Sequence, residues 1–157
     1  MIRVLLFTLL AGCFINSASA QGYILANGEV KPVGDITFAT GTASINAESE
    51  EGLLGIKKFL DDKSYVSLLR VEGHVFGAAN SQKLSEARAN AICAWLIAKG
   101  VDCKRLIPVG FGETKPVASG EDPGNTRITF VNAALKGHAI GGMPVDGGGK
   151  VAGDPCK

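Results

Sequence analysis

From Ala47 to Leu60 the apolar residues Leu53, Leu54, Ile56, Phe59 and Leu60 recur at the three- and four-residue steps of one helix face. Glu48, Glu50 and Glu51 lie in its first turns and Lys57 and Lys58 near its end, matched to the helix dipole. These acids therefore read as solvated helix charge rather than as a catalytic carboxylate cluster. A second, longer helix is predicted over Ser81–Lys99, with Leu84, Ala87, Ala91, Ile92, Trp95 and Leu96 as its apolar face. Asn80 or Ser81 is placed to cap it and Gly100 to stop it. Between the helices, Tyr65 to Val71 is nearly all apolar, as in a central strand covered on both faces. Shorter strand signals lie at Tyr23–Ala26, Ile36–Phe38, Arg105–Val109 and Arg127–Val131. Alternating strands and helices predict an α/β (α+β sandwich) fold, a small mixed sheet with two helices packed on one face.

The ends read differently. Met1-Ile2-Arg3, an apolar run from Val4 to Ile15, and Ala18-Ser19-Ala20 have the order of a secretory signal, which is too short to span a membrane as a helix. Cleavage after Ala20 is the favoured reading, giving a mature N-terminus at Gln21. Leu10-Ala11-Gly12-Cys13 also resembles a lipoprotein box, in which case Cys13 would be lipidated and the protein held at a membrane. The chain thus divides into a signal (1–20), a lead-in segment (21–34), one domain (35–134) and a glycine-rich tail (135–157). With few apolar groups to offset its ordering entropy, the tail is expected to be mobile.

Export makes disulfides permissible, and three cysteines follow the signal: Cys93, Cys103 and Cys156. A turn at Gly100 would fold Cys103 back towards the last turns of the second helix, so a Cys93–Cys103 disulfide is expected, with two unrelated cysteines as the competing reading. Its geometry would need Cα atoms within about 7 Å. Metal is not expected. No closely spaced Cys or His pair occurs, and His74 and His138 lie in separate segments.

Composition narrows the function. Hydrophobic residues are 46% and charged residues 20%, as for a globular chain, and the formal net charge is +1. Loss of Arg3 with the signal leaves cations and acids balanced, so no polyanion such as nucleic acid is expected as a partner.

Four stretches occur in a recognisable order: Val71-Glu72-Gly73-His74, Leu84-Ser85-Glu86-Ala87-Arg88-Ala89, Gly110-Phe111-Gly112-Glu113 with Pro116, and Asn125-Thr126-Arg127-Ile128-Thr129-Phe130. Together, over roughly residues 35–134, they resemble the C-terminal domain of the outer-membrane protein A (OmpA-like) family, which includes peptidoglycan-associated lipoproteins and flagellar stator domains. The resemblance implies a periplasmic, outer-membrane-associated protein that binds the peptidoglycan stem peptide at diaminopimelate. In that family an Asp of a Gly-His-Thr-Asp type turn takes the ligand ammonium, and the Arg of a Leu-Ser-x-x-Arg-Ala helix start takes a carboxylate. A zwitterionic head needs one anion and one fork-shaped cation.

Carried over residue by residue, the resemblance places Arg88, His74, Phe76 and Asn80 at the ligand. Arg88 matches the family Arg, and Gly73 and His74 match the turn. Val75 and Phe76 stand where the family has Thr and Asp, and the connection from Phe76 to Leu84 is about three residues shorter. Arg88 also has a plain reading, a helix-start Arg bonded to a loop carbonyl, and Arg127 reads as a strand Arg tied to the fold.

Enzyme motifs fail. No Gly-x-Ser-x-Gly elbow occurs. Gly147-Gly148-Gly149-Lys150 has Pro144 where a phosphate loop needs Gly, and Val151 where it needs Ser or Thr. Gly110-Phe111-Gly112 lacks the third Gly of a dinucleotide turn. The sequence therefore predicts neither catalysis nor a cofactor. Two functions stay open: docking on peptidoglycan through Arg88, or a structural role in an envelope assembly, contacting other envelope proteins after loss of wall binding.

Overall fold

The computed structural model describes residues 22–140 and 146–157; the signal and the Cys13 box lie outside them. Seven strands form one sheet: β1 (Tyr23–Ala26), β2 (Glu29–Pro32), β3 (Val66–His74), β4 (Leu106–Gly112), β5 (Arg127–Leu135), β6 (His138–Ala139) and β7 (Lys150–Val151). The helices are α1 (Glu50–Asp62) and α2 (Ser81–Ala98). The strand order is β1-β2-β5-β3-β4-β7, with β6 paired to β5. Among the described residues only β3 and β4 are parallel, and α2 is the crossover that joins them. The expected mixed sheet is therefore present.

Between sheet and helices lies the core: Leu53, Ile56, Phe59 and Leu60 of α1, Ile92 and Leu96 of α2, and Leu69, Val71 and Phe130 of the strands. Two glycines let α2 come unusually close. A Cβ on Gly73 would lie 2.2 Å from the Ser85 carbonyl oxygen, and one on Gly110 would lie 2.7 Å from the Glu86 backbone nitrogen. Ser85 then bolts the helix to the sheet. Its Oγ donates to the Gln82 carbonyl at 2.7 Å and accepts from the Gly112 N–H at 2.9 Å.

On β3, Arg70, Glu72 and His74 alternate with the core residues and so point to the opposite face, yet all three are buried. Arg70 Nε donates to Glu72 Oε1 at 2.6 Å, and Thr129 Oγ1 donates to Glu72 Oε2 at 3.2 Å. His74 Nε2 lies 3.5 Å from that same carboxylate oxygen, while its ring stacks on Phe111 with centroids 5.2 Å apart. Burial pushes the His74 pKa down, against the pull of Glu72. For Glu72, burial acts upward, but the His74 hydrogen bond and the Arg70 charge outweigh it and hold the carboxyl below its ordinary value.

Several expectations need correction. Cys93 is not in a disulfide: Cys103 is bonded to Cys156, with Cα atoms 5.2 Å apart. The reason is helical phase. Cys93 shares the inner face of α2 with Ala89, Ile92 and Leu96, and burial lifts its thiol pKa to about 12. Cys103 sits in a short 3-10 turn at Cys103–Arg105, where the chain end can reach it. The tail, expected to be mobile, is docked at 150–152 and again at Cys156. Strand β7 pairs with the edge of β4, the Ala152 N–H donates to the Pro108 carbonyl at 3.0 Å, and Asn90 Nδ2 donates to the Ala152 carbonyl at 3.2 Å. Ladder and disulfide together offset the ordering entropy that composition alone left uncovered. Ile36–Phe38 forms a single bridge, Phe38 to Ile45, rather than a strand. Asn80 makes no side-chain cap on α2.

Two outcomes follow. A cross-link closing 53 residues stabilises by up to about 4 kcal/mol in the chain-entropy model. Cys156→Ser should therefore lower the unfolding free energy from a denaturant titration by a large part of that amount; an unchanged value would show that the strap carries no stability. The second outcome concerns acid. A folded His74 pKa below its ordinary 6.5 means that the unfolded chain takes up protons first. Its contribution is complete above pH 6.5 and is lost as pH falls below that value. The Glu72 contribution is complete above 4.5 and is lost below it. Melting temperature against pH should fall in those two windows, and His74→Gln should remove the upper one.

Candidate functional site

Arg88 is placed by the bolt at Ser85, one helical turn earlier on the same face of α2. It is 8% exposed. Facing it is the loop from Ile36 to Asn46. Ser49, fully buried, anchors that loop: its Oγ accepts from the Thr37 N–H at 2.9 Å and donates to the Thr37 carbonyl at 3.1 Å. Asn46 Nδ2 donates to Thr37 Oγ1 at 3.0 Å. The loop thus held presents two groups to Arg88. Arg88 Nε donates to the Thr42 carbonyl at 2.8 Å, and the guanidinium carbon lies 4.7 Å from the Phe38 ring centroid, a cation–π contact.

A cavity of about 220 Å³ opens beside the guanidinium, lined by Ile36, Thr37, Phe38, Arg88, Thr126 and Arg127. Among the described residues Arg88 makes its hydrogen bond through Nε alone, so the fork of its two Nη groups has no protein partner. The loop-carbonyl reading of this residue holds for Nε and leaves the fork unexplained. Arg127, opposite His74 at the start of β5, donates from Nη2 to the Lys115 carbonyl at 3.3 Å. Its Nη1 is buried with no hydrogen-bond partner among the described residues. Burial pushes both guanidinium pKa values down; Glu29 and Glu72 partly oppose this at Arg127, whereas at Arg88 no acid does. Arg127 keeps the structural reading: its register partner is His74 on the far face of the sheet, and its guanidinium is tied to the Lys115 carbonyl. A fork-shaped donor such as that of Arg88 suits a carboxylate.

The other residues placed at the ligand by the resemblance are not gathered here. Phe76 donates its backbone N–H to Thr126 Oγ1 at 3.1 Å, but its side chain lines a separate groove of about 370 Å³ with Pro116, Val117, Ala118, Ser119 and Gly120. His74 belongs to the buried cluster on the far face of the sheet. Asn80 is exposed and borders another depression, with Gly41, Ala78, Lys83 and Leu84. The short connection after Phe76 is pinned by a residue to which the sequence reading gave no role. Glu113 Oε1 accepts from the Gly77 N–H at 3.0 Å and from Ser81 Oγ at 2.7 Å. Asn125 has a comparable task. Its amide makes four hydrogen bonds, to Val117, Ala118 (twice) and Gly120, and shapes the loop that precedes Thr126. Among the described residues no group of three His, Cys, Asp or Glu is placed to hold a metal, and no helix is long and apolar enough to cross a membrane.

Residues 37–128 match the OmpA family, and the chain belongs to that family. Among curated relatives it is 33% identical over 111 residues to outer membrane porin F of Pseudomonas aeruginosa, covering 68% of this chain and 28% of the porin. Among solved structures it resembles the OmpA-like domain of FopA1 from Francisella tularensis, with 27% identity, a TM-score of 0.56, and 86% of this chain and 98% of that one covered. It also resembles the cell wall anchor of the type VI secretion system (T6SS) from Pseudomonas aeruginosa, with 25% identity, a TM-score of 0.59, and 73% and 90% covered. The chain spans between 14% and 40% of the length of the curated relatives it matches.

Proposed function

We propose that this protein is a non-catalytic component of the bacterial cell envelope, located in the periplasm in association with the outer membrane, that docks on peptidoglycan through the cavity at Arg88. The observation that carries the reading is the Arg88 guanidinium beside an open cavity, held by its Nε on the Thr42 carbonyl and with no protein partner for its Nη fork among the described residues. A guanidinium held through one nitrogen keeps its planar fork available to an incoming carboxylate. Membership of the OmpA family, and similarity to a protein described as a cell wall anchor, support the wall as the source of the ligand. The stem peptide, which carries carboxylates, is the part of the wall with matching chemistry.

One observation favours a second reading: no carboxylate lines the cavity, and the resemblance puts Phe76 at the position of the family acid. On that reading the domain contacts another envelope protein and serves as a structural part of an assembly.

Sedimentation with purified sacculi separates the two. Wild type should be retained. Arg88→Ala should lose retention with its fold intact by circular dichroism. A charge-assisted hydrogen bond is worth about 1.5–3 kcal/mol, which corresponds to roughly ten- to a hundredfold in affinity. Absence of wild-type retention would favour the assembly role.

A further inference from the structure

Each outer edge of a sheet is a row of backbone groups open to pairing. Here the β4 edge is covered by β7 and secured by the Cys103–Cys156 disulfide. The β1 edge has no strand beyond it among the described residues. It also lacks the usual protections of an edge: Tyr23-Ile24-Leu25-Ala26 has no charge, no proline and an unbroken register with β2. Ile24 is 59% exposed and Leu25 48%. The strand is nevertheless fixed in place. Tyr23 is buried, stands edge-on to Phe59 of α1 with ring centroids 5.1 Å apart, and donates its hydroxyl to Asp62 Oδ2 at 3.1 Å. Just before it, a Cβ on Gly22 would lie 3.0 Å from the Gly55 Cα of the same helix. The β1–β2 hairpin lies ahead of residues 37–128 and so outside the matched family region.

Backbone parity decides which groups of β1 point outward. The hairpin turns through Asn27-Gly28, both at positive φ, and the Val33 N–H donates to the Gly22 carbonyl at 3.0 Å. Gly22, Ile24 and Ala26 therefore turn their peptide groups towards β2, and Tyr23 and Leu25 turn theirs away from it. Pro32, which has no N–H, stands opposite Tyr23, where the ladder asks for none.

We propose that β1 pairs antiparallel with β1 of a second copy of this chain, about a two-fold axis at Ile24. In that register Tyr23 of each copy meets Leu25 of the other, and each such pair exchanges both of its N–H to carbonyl bonds, so the outward groups satisfy one another with none left over. The two Ile24 side chains meet across the axis on one face, and each Leu25 packs beside the partner's Tyr23 on the other. No charge within β1 opposes the contact. An unlike strand would have to match this spacing, whereas a second copy carries the match by symmetry. So short a strand buries much less than the roughly 1,200 Å² of a stable dimer, so the pairing is weak and concentration-dependent. On the wall-docking reading, the pair presents two Arg88 cavities and grips a polymeric wall bivalently.

The test combines cross-linking with sedimentation equilibrium on the full chain. Residues opposed in this kind of pair hold their Cβ atoms about 4.5–5.5 Å apart, close enough to be bridged with a small adjustment. Ile24→Cys should therefore give a covalent dimer under mild oxidation, and Lys31→Cys, one strand further in, should not. The resident cysteines do not interfere, because Cys93 is buried and Cys103 is already joined to Cys156. The wild-type mass should rise towards twice that of the monomer with concentration. Ile24→Lys, which sets like charges across the axis, should weaken association at least tenfold with an unchanged circular dichroism spectrum. Ile24 is exposed, so neither substitution there disturbs the core. A wild type that stays monomeric at millimolar concentration would overturn the proposal. So would equal cross-linking through Lys31→Cys, no cross-linking through Ile24→Cys, or a dimer that Ile24→Lys leaves intact. Sacculus retention on the same preparations keeps the two claims apart. Self-association without retention leaves the pairing standing and counts against wall docking; retention by a strictly monomeric chain does the reverse.

Discussion

The close contact between the start of α2 and the parallel strands β3 and β4 is the constraint on which the rest of the molecule depends. It requires no side chain at residues 73 and 110, because a Cβ at either would overlap the helix backbone. It also requires a small hydroxyl at 85, because the Gly112 N–H needs an acceptor where the strand runs out under the helix. Three of the four sequence stretches that typify this domain meet at this one contact. The position of Arg88 follows from it without further adjustment, since one turn of helix carries the chain from Ser85 to the edge of the sheet.

The two faces of the sheet treat buried charge in opposite ways. On the far face Arg70, Glu72, His74 and Thr129 interact with one another, with His74 Nδ1 left without a hydrogen-bond partner among the described residues, and the cluster belongs to the fold. At the sheet end the Arg88 guanidinium borders a cavity and uses only its Nε on the protein among the described residues. A planar guanidinium fork beside a cavity suits a carboxylate ligand. Phe38 and the Thr42 carbonyl orient Arg88 before any ligand arrives, and the Ser49 anchor lets the loop that bears them do so.

The helices and the central strand were legible because their apolar period is long and regular. Strand β2 was not, because Glu29–Pro32 buries one apolar side chain fully, Val30, and contains a proline. The charged face of β3 was hidden for a related reason: a run rich in Val and Leu reads as apolar on both sides even where Arg70 and Glu72 alternate with it. Cysteine pairing depended on topology. No local pattern indicates that residue 156 returns to the edge of β4, whereas Cys93 follows from the phase of α2. Arg88 was legible through its motif. The separation of Phe76 from it was not, because it depends on Glu113 pinning a shortened loop.

The Nη fork of Arg88 is the proposed seat of the wall ligand. The most direct measurement is a crystal structure of the chain with a soluble stem-peptide fragment. One ligand carboxylate is expected within hydrogen-bond distance of both Arg88 Nη groups, with Phe76 still in its own groove. A fragment seated in the Phe76 groove, or held by its ammonium on Glu113 with Arg88 untouched, would contradict it.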